Sequence, residues 1–209
     1  MPFGARGASA DGMKLILASA SPRRAEILRN AGFEFEVHPA HVDETRLPGE
    51  SPEDYVRRLA DAKARGTAEQ LGRKHARAII IGADTAVVAA GELLGKPCGV
   101  EDARRMLRLL SGRTHDVLTG VAVLRVPEGS SALHVEATRV TFVELSHHDI
   151  DDYIATGEPF DKAGAYGIQG IGGKFVREIE GCYFNVMGLP LSRVWSLVRA
   201  IESERTAGA

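Results

Sequence analysis

The run Ala78 to Ala83 (AIIIGA) sets the strongest limit on what this chain can fold into. It is nearly all apolar, the composition of a central strand covered on both faces rather than of a sheet edge half open to water. Its surroundings supply the covering layers. Lys14 to Ala18 is a second short apolar run, broken at Ser19. From Ala25 the helical spacing of Ile27, Leu28 and Ala31 is stopped by Gly32, which gives strand, loop, helix. Phe33, Phe35 and Val37 alternate with polar residues, and that period predicts a half-exposed strand. Ser51-Pro52-Glu53-Asp54 places a cap serine, a first-turn proline and an acid three residues after the cap, so a helix is predicted from there to about Leu71.

The central run delivers Asp84-Thr85 at its expected C-terminal end, where open α/β sheets bind ligands. A hairpin is predicted over Val87 to Lys96, turning near Gly91. An amphipathic helix through Ala103, Met106, Leu107 and Leu110 ends at Ser111-Gly112. Two long strands are expected at Leu118 to Val126 and His134 to Leu145. A capping-box helix should open at Ser146 and end by Pro159. Gly164 to Gly173 holds five glycines and suits a backbone that approaches a ligand closely, and a strand (Phe175 to Ile179) and a helix (Pro190 to Ile201) complete the chain. The fold class is α/β, a mixed twisted sheet with flanking helices.

At 209 residues and 44% hydrophobic, the chain suffices for one core or for a bilobed one. Net charge is -2, with a pI near 6.4, and no aromatic-interleaved basic patch is evident, so a nucleic-acid partner is not expected. Cys98 and Cys182 form neither a disulfide framework nor a metal-type spacing, which fits a reducing cytoplasm. No segment has the length of about 18 apolar residues that a membrane span needs, and Met1 to Gly12 lacks the build of a signal peptide. Those twelve small, polar residues are read as a disordered tail, and the fold begins at Met13.

Chemistry concentrates at Ser19-Ala20-Ser21-Pro22-Arg23-Arg24. Ser21 and Pro22 fit the N-cap and first position of a helix, which puts two arginines into its first turn, against the macrodipole; each is unfavourable there by roughly 0.3 to 1 kcal/mol unless an anion compensates. Backbone N–H groups, the hydroxyls of Ser19 and Ser21, and the forks of Arg23 and Arg24 can together wrap a polyphosphate. The bland alternative is a capped surface helix with solvated arginines.

Asp84, at a buried strand, needs a partner, and can ligate Mg2+ or accept a proton from attacking water; the alternative is a turn-capping aspartate. Lys63 lies on the apolar stripe of Tyr55, Val56, Leu59 and Ala60, so it either reaches an anion or runs its stem along the core edge. Lys96 is a loop cation for the same anion or a solvated turn residue. Glu44, beside Asp43, can join Asp84 at a metal. Gln169 offers a donor and an acceptor that match the edge of uracil or thymine, or else bonds to backbone. No GxxxxGK[ST], dinucleotide fingerprint or GxSxG occurs, and His38, His41, His147 and His148 lack the setting of a zinc site, so hydrolysis by activated water is favoured over covalent catalysis.

The segments LILASASPRRAEIL (15 to 28), VDE (42 to 44), YVRRLADAKA (55 to 64), IIGADTAVV (80 to 88), LGKP (94 to 97), LSGRTHDVLTGVAV (110 to 123) and GEPFDKAGAYGIQGIGG (157 to 173) resemble, in order, the Maf-like nucleoside triphosphate pyrophosphatases, in the branch acting on dTTP and UTP. The resemblance spans Met13 to about Ile201. It implies a single bilobed α/β domain with a cleft between two lobes, usually a homodimer, that releases pyrophosphate from a nucleoside triphosphate and leaves the monophosphate, with Mg2+ or Mn2+ as cofactor. It also implies roles: Asp84 as the catalytic proton acceptor, Arg24, Lys63 and Lys96 as phosphate-site cations, Arg23, Thr85 and Gln169 as residues of substrate choice, Ser19 and Ser21 in the cradle, and Glu44 as a second metal or water ligand. The rival from another class is a nucleotide-binding regulator of growth or division that needs no turnover. The set of Asp84, Lys63 and Lys96 speaks against it, because a sensor needs cations but no activated water.

Overall fold

The structure is a computed structural model that describes residues 13–72 and 77–203. The expected tail, 1–12, lies outside the described residues. Seven strands form one mixed sheet in the order β2-β1-β3-β5-β6-β7, with β4 paired to β3. β1 (Lys14–Ala18) runs parallel to both β2 (Glu36–Val37) and β3 (Ala78–Ala89). β4 (Glu92–Leu94) folds back on β3, with Ala89 opposite Glu92. The turn residues Ala90 and Gly91 both have positive φ, as the favoured two-residue hairpin turn requires. β5 (Thr114–Val126), β6 (Ser131–Phe142) and β7 (Val176–Glu180) complete the sheet. The helices are α1 (Pro22–Asn30), α2 (Pro52–Leu71), α3 (Val100–Leu110), α4 (His147–Ala155), α5 (Tyr183–Val186) and α6 (Leu191–Ser203).

Five expectations shift. β3 does not stop after Ala83 but continues to Ala89, so Asp84 sits midway along a twelve-residue strand rather than at its end. The strand expected from Phe33 shrinks to Glu36–Val37, because Gly32, at positive φ, and Phe33 are still hydrogen-bonded to the last turn of α1, to Arg29 and Leu28. β5 starts earlier than Leu118, while β6 ends at Phe142, short of Leu145. α4 ends at Thr156-Gly157, with Gly157 left-handed, so Pro159 belongs to the next turn, a 3-10 segment over Glu158–Asp161.

The chain divides into two compact units. The first takes residues up to Asp84, Gly120–Val135 and the chain from Gly188; the second takes Thr85–Thr119 and Glu136–Met187. In the first, Ile16, Ala18, Ile80, Ala122 and Leu124 of the sheet pack against Ala60 and Ala64 of α2. The small residues bring helix and sheet backbones unusually close. A Cβ built on Gly82 would overlap the Ala60 carbonyl and lie 2.8 Å from the Ala64 amide nitrogen, and one on Gly120 would overlap the Val56 carbonyl. The second unit has its own core, in which Leu94, Leu107, Phe142, Tyr153, Tyr166 and Phe175 are buried together.

Candidate active site

Serine opens three helices of this chain, and the three are not alike. The Ser51 and Ser146 side chains accept the backbone N–H groups of Asp54 and Asp149, and acids occupy the first turns of α2 and α4. At α1 the Ser21 side chain makes no cap hydrogen bond and the first turn holds no acid, only Pro22, Arg23 and Arg24. The start of α1 thus keeps the positive end of a helix dipole unneutralised by its own sequence.

Arg24 is buried. It donates from Nε to the Gly188 carbonyl at 2.7 Å and from one terminal nitrogen to the Ala83 carbonyl at 2.9 Å and to Ser19 Oγ at 3.1 Å. Ser19 Oγ also accepts the Ser21 N–H at 3.2 Å. The guanidinium therefore fastens the loop before α1 to β3, one residue ahead of Asp84. Burial lowers its pKa from the ordinary arginine value; Asp84 opposes that shift, Arg23 adds to it and Glu44 opposes it.

The close approach of α2 to Gly82 carries Lys63 to the sheet. Its Nζ lies 2.6 Å from Asp84 Oδ1 and 2.7 Å from Glu44 Oε1, and both the Lys63 and Asp84 side chains are almost out of solvent, whereas Glu44 is exposed. One ammonium thus bridges two carboxylates. The head of Lys63 is thus brought to two carboxylates, with its side chain largely out of solvent.

The segment bearing Glu44 is tied down from α2 by two residues with no role expected above, Tyr55 and Arg58. The Tyr55 hydroxyl donates to the Glu44 carbonyl at 3.1 Å, and Arg58 donates to the Thr45 carbonyl at 3.1 Å while forking onto Glu50 at 2.6 and 2.9 Å. The Arg58 fork holds the Glu50 carboxyl down at about 2. Burial, with the fields of Asp84 and Glu44, pushes the Tyr55 phenol up to about 12, so it remains a donor at neutral pH. The only sequence signal for this arrangement is the three-residue spacing that puts Tyr55 and Arg58 on one side of α2.

Thr85, Lys96 and Gln169 belong to the second unit. Thr85 Oγ1 lies 2.9 Å from Thr119 Oγ1, another partner not foreseen. Lys96 is exposed after β4, and Gln169 is exposed in the glycine-rich loop.

Two carboxylates, Asp84 and Glu44, converge on one cation. That donor set suits Mg2+ or a like ion, which binds through one or two carboxylates and completes its shell with water and phosphate oxygens. No cluster of three or more potential metal ligands occurs among the described residues. No described helix is long and apolar enough to cross a membrane.

A basic strand-to-helix turn beside a lysine-bridged carboxylate pair is the arrangement of a protein that handles polyanions. The match to known families agrees: residues 14–201 fit the model described as Maf-like protein, and the chain belongs to that family. A relative from Koribacter versatilis, named dTTP/UTP pyrophosphatase, is 53% identical over 90% of this chain and 94% of its own. Relatives of the same name from Anaeromyxobacter dehalogenans (52%; 89% and 93%) and Geobacter sp. (49%; 90% and 95%) are similarly placed. A solved nucleoside-triphosphatase / dITP/XTP pyrophosphatase from Mycobacterium abscessus covers 94% of this chain and 98% of its own, with a TM-score of 0.37 and 16% identity.

Proposed function

We propose that this chain hydrolyses dTTP and UTP to the nucleoside monophosphate and pyrophosphate. The observation that carries the reading is the Lys63 ammonium held between Asp84 and Glu44, in the same unit as the uncapped, acid-free start of α1. The names of the half-identical relatives support the pyrimidine nucleotides as substrates.

In this reading the first-turn amides of α1, the hydroxyls of Ser19 and Ser21, and Arg23 receive the phosphates. Ser19 Oγ already accepts two hydrogen bonds, so what it offers an anion is its own O–H. Arg24 adds positive charge while its hydrogen bonds hold the cradle in shape. Lys63 neutralises charge that develops toward the leaving pyrophosphate, and Lys96 serves the same end. Asp84 accepts a proton from the water that attacks the α-phosphate, and Lys63, 2.6 Å from its Oδ1, orients it. A divalent cation, Mg2+ or Mn2+, would be held by Asp84 and Glu44 and would supply Lewis-acid polarisation of the phosphates. Arg23, Thr85 and Gln169 are proposed to choose the nucleotide, with the Gln169 amide matching the paired donor and acceptor of uracil or thymine.

Asp84→Asn tests this directly. Turnover of UTP should fall by about a hundredfold or more, the scale of losing a preorganised electrostatic group, with the circular dichroism spectrum unchanged. Wild-type turnover in that variant would remove Asp84 from the chemistry.

A further inference from the structure

Below the exposed Gln169 loop lies a carboxylate with no part in the proposed phosphate chemistry, Glu158. Glu158 follows α4 in its 3-10 turn, and every oxygen of its side chain is engaged. Oε1 accepts the Tyr153 hydroxyl at 2.8 Å and the Gly172 N–H at 3.1 Å, and Oε2 accepts the Ile171 N–H at 2.8 Å. The Tyr153 hydroxyl in turn accepts the Gly167 N–H at 3.3 Å. Gly167, Ile171 and Gly172, on either side of Gln169, are thus bound to one Tyr153–Glu158 pair. Lys162 donates to the Glu158 carbonyl at 2.7 Å and fixes the turn that presents the carboxylate.

Gly170 and Gly172 lie directly against the brace, and Gly167 against the Lys162 stem. A Cβ on Gly170 would overlap the Glu158 carboxylate, one on Gly172 would lie 2.6 Å from the Tyr153 hydroxyl, and one on Gly167 would lie 2.6 Å from Lys162 Cε. Burial raises the pKa of Glu158, but the Ile171 and Gly172 amides and the Tyr153 hydroxyl together outweigh it, and the net shift is downward. The brace therefore works as a carboxylate, an acceptor at every lone pair it uses.

We infer that Glu158, through Tyr153, is a positioning residue for base selection: it holds the loop 167–173 in the shape that presents Gln169 to the nucleotide. The inference rests on the proposed role of Gln169. Glu158→Gln keeps the size of the side chain but turns one acceptor into a donor, which then opposes a backbone N–H. Leaving one such group unpaired is a roughly tenfold to hundredfold effect.

The test compares kcat/KM for UTP and CTP in the wild type, Glu158→Gln, Gln169→Ala and the double variant, with hydrogen exchange read at 167–173. The expected result has four parts. The UTP-to-CTP ratio falls about tenfold to hundredfold in Glu158→Gln, chiefly through KM. The amides of the loop exchange faster. The double variant is no less selective than Gln169→Ala alone, and Tyr153→Phe gives a smaller loss in the same direction. If Gln169→Ala lowers the ratio and Glu158→Gln lowers both substrates equally, Glu158 is merely structural and the inference fails while the role of Gln169 survives. If Glu158→Gln lowers the ratio and Gln169→Ala does not, the role of Gln169 fails and selection by the braced loop stands. If neither variant moves the ratio, both fail.

Discussion

Replacing Gly82 by alanine should weaken the protein and, separately, misplace its lysine. The new Cβ would overlap the Ala60 carbonyl and sit 2.8 Å from the Ala64 nitrogen and 3.0 Å from the Ala64 Cβ, all on α2. These atoms are mostly backbone, so no rotamer change relieves the overlap. Restoring ordinary van der Waals separation requires α2 to withdraw by about 1 Å. Overpacking of this kind costs about 1 to 3 kcal/mol, which for a chain of this size lowers Tm by about 3 to 10 °C.

Lys63 stands on the same turn of α2 as Ala60 and Ala64. Withdrawal stretches its 2.6 Å contact with Asp84 toward about 3.6 Å, beyond a charge-assisted hydrogen bond. A misplacement near 1 Å can reduce catalysis about a hundredfold. Differential scanning fluorimetry and pyrophosphate release from UTP read the two effects. Two controls separate them. Gly120→Ala meets the Val56 carbonyl, about two turns away from Lys63, and should lower Tm similarly with a smaller loss of rate. Gly99→Ala has nothing within 4 Å of its Cβ; at the N-cap of α3 it should lower stability slightly, since alanine caps less well than glycine, and leave the rate unchanged. A Gly82→Ala protein with unchanged Tm and rate would refute the claim that helix-to-sheet contact places Lys63.

Other expectations are quickly checked. Ser51→Ala and Ser146→Ala each remove a side-chain cap and should cost about 1 kcal/mol in denaturant melts, whereas Ser21→Ala removes none, should leave stability unchanged and should raise KM for UTP. His115 is buried with Nε2 2.9 Å from the Tyr166 hydroxyl, and desolvation lowers its pKa to about 4. Because the folded value lies below the unfolded one, near 6.5, the neutral imidazole stabilises the fold fully above about pH 6.5, and this contribution drains away as pH falls toward 4, by up to a few kcal/mol. His115→Gln should flatten the Tm-against-pH curve in that window; an unchanged slope would assign the acid sensitivity to other groups.

Much of the architecture can be read from the chain because local signals agree. Ser51-Pro52 and Ser146-x-x-Asp149 open helices, and the hairpin turns at Ala90-Gly91. What cannot be read depends on partners distant in sequence. β3 passes Asp84 because β4 pairs with its later residues. Gly82 and Gly120 look like ordinary strand glycines until α2 is laid on them. Lys63 stands 21 residues from Asp84, and only that packing brings the two together. Glu158 shows as an acid before a proline, and its bonds to Ile171 and Gly172, 13 and 14 residues on, carry no local pattern.

Mixing the full chain with UTP or dTTP and Mg2+, or Mn2+, and measuring pyrophosphate, phosphate and nucleotide separately tests the reaction most directly. The expected products are pyrophosphate and monophosphate in equal amounts, with little phosphate and slower turnover of CTP. Release of phosphate with the diphosphate, or nucleotide binding without turnover, would contradict the proposed reaction.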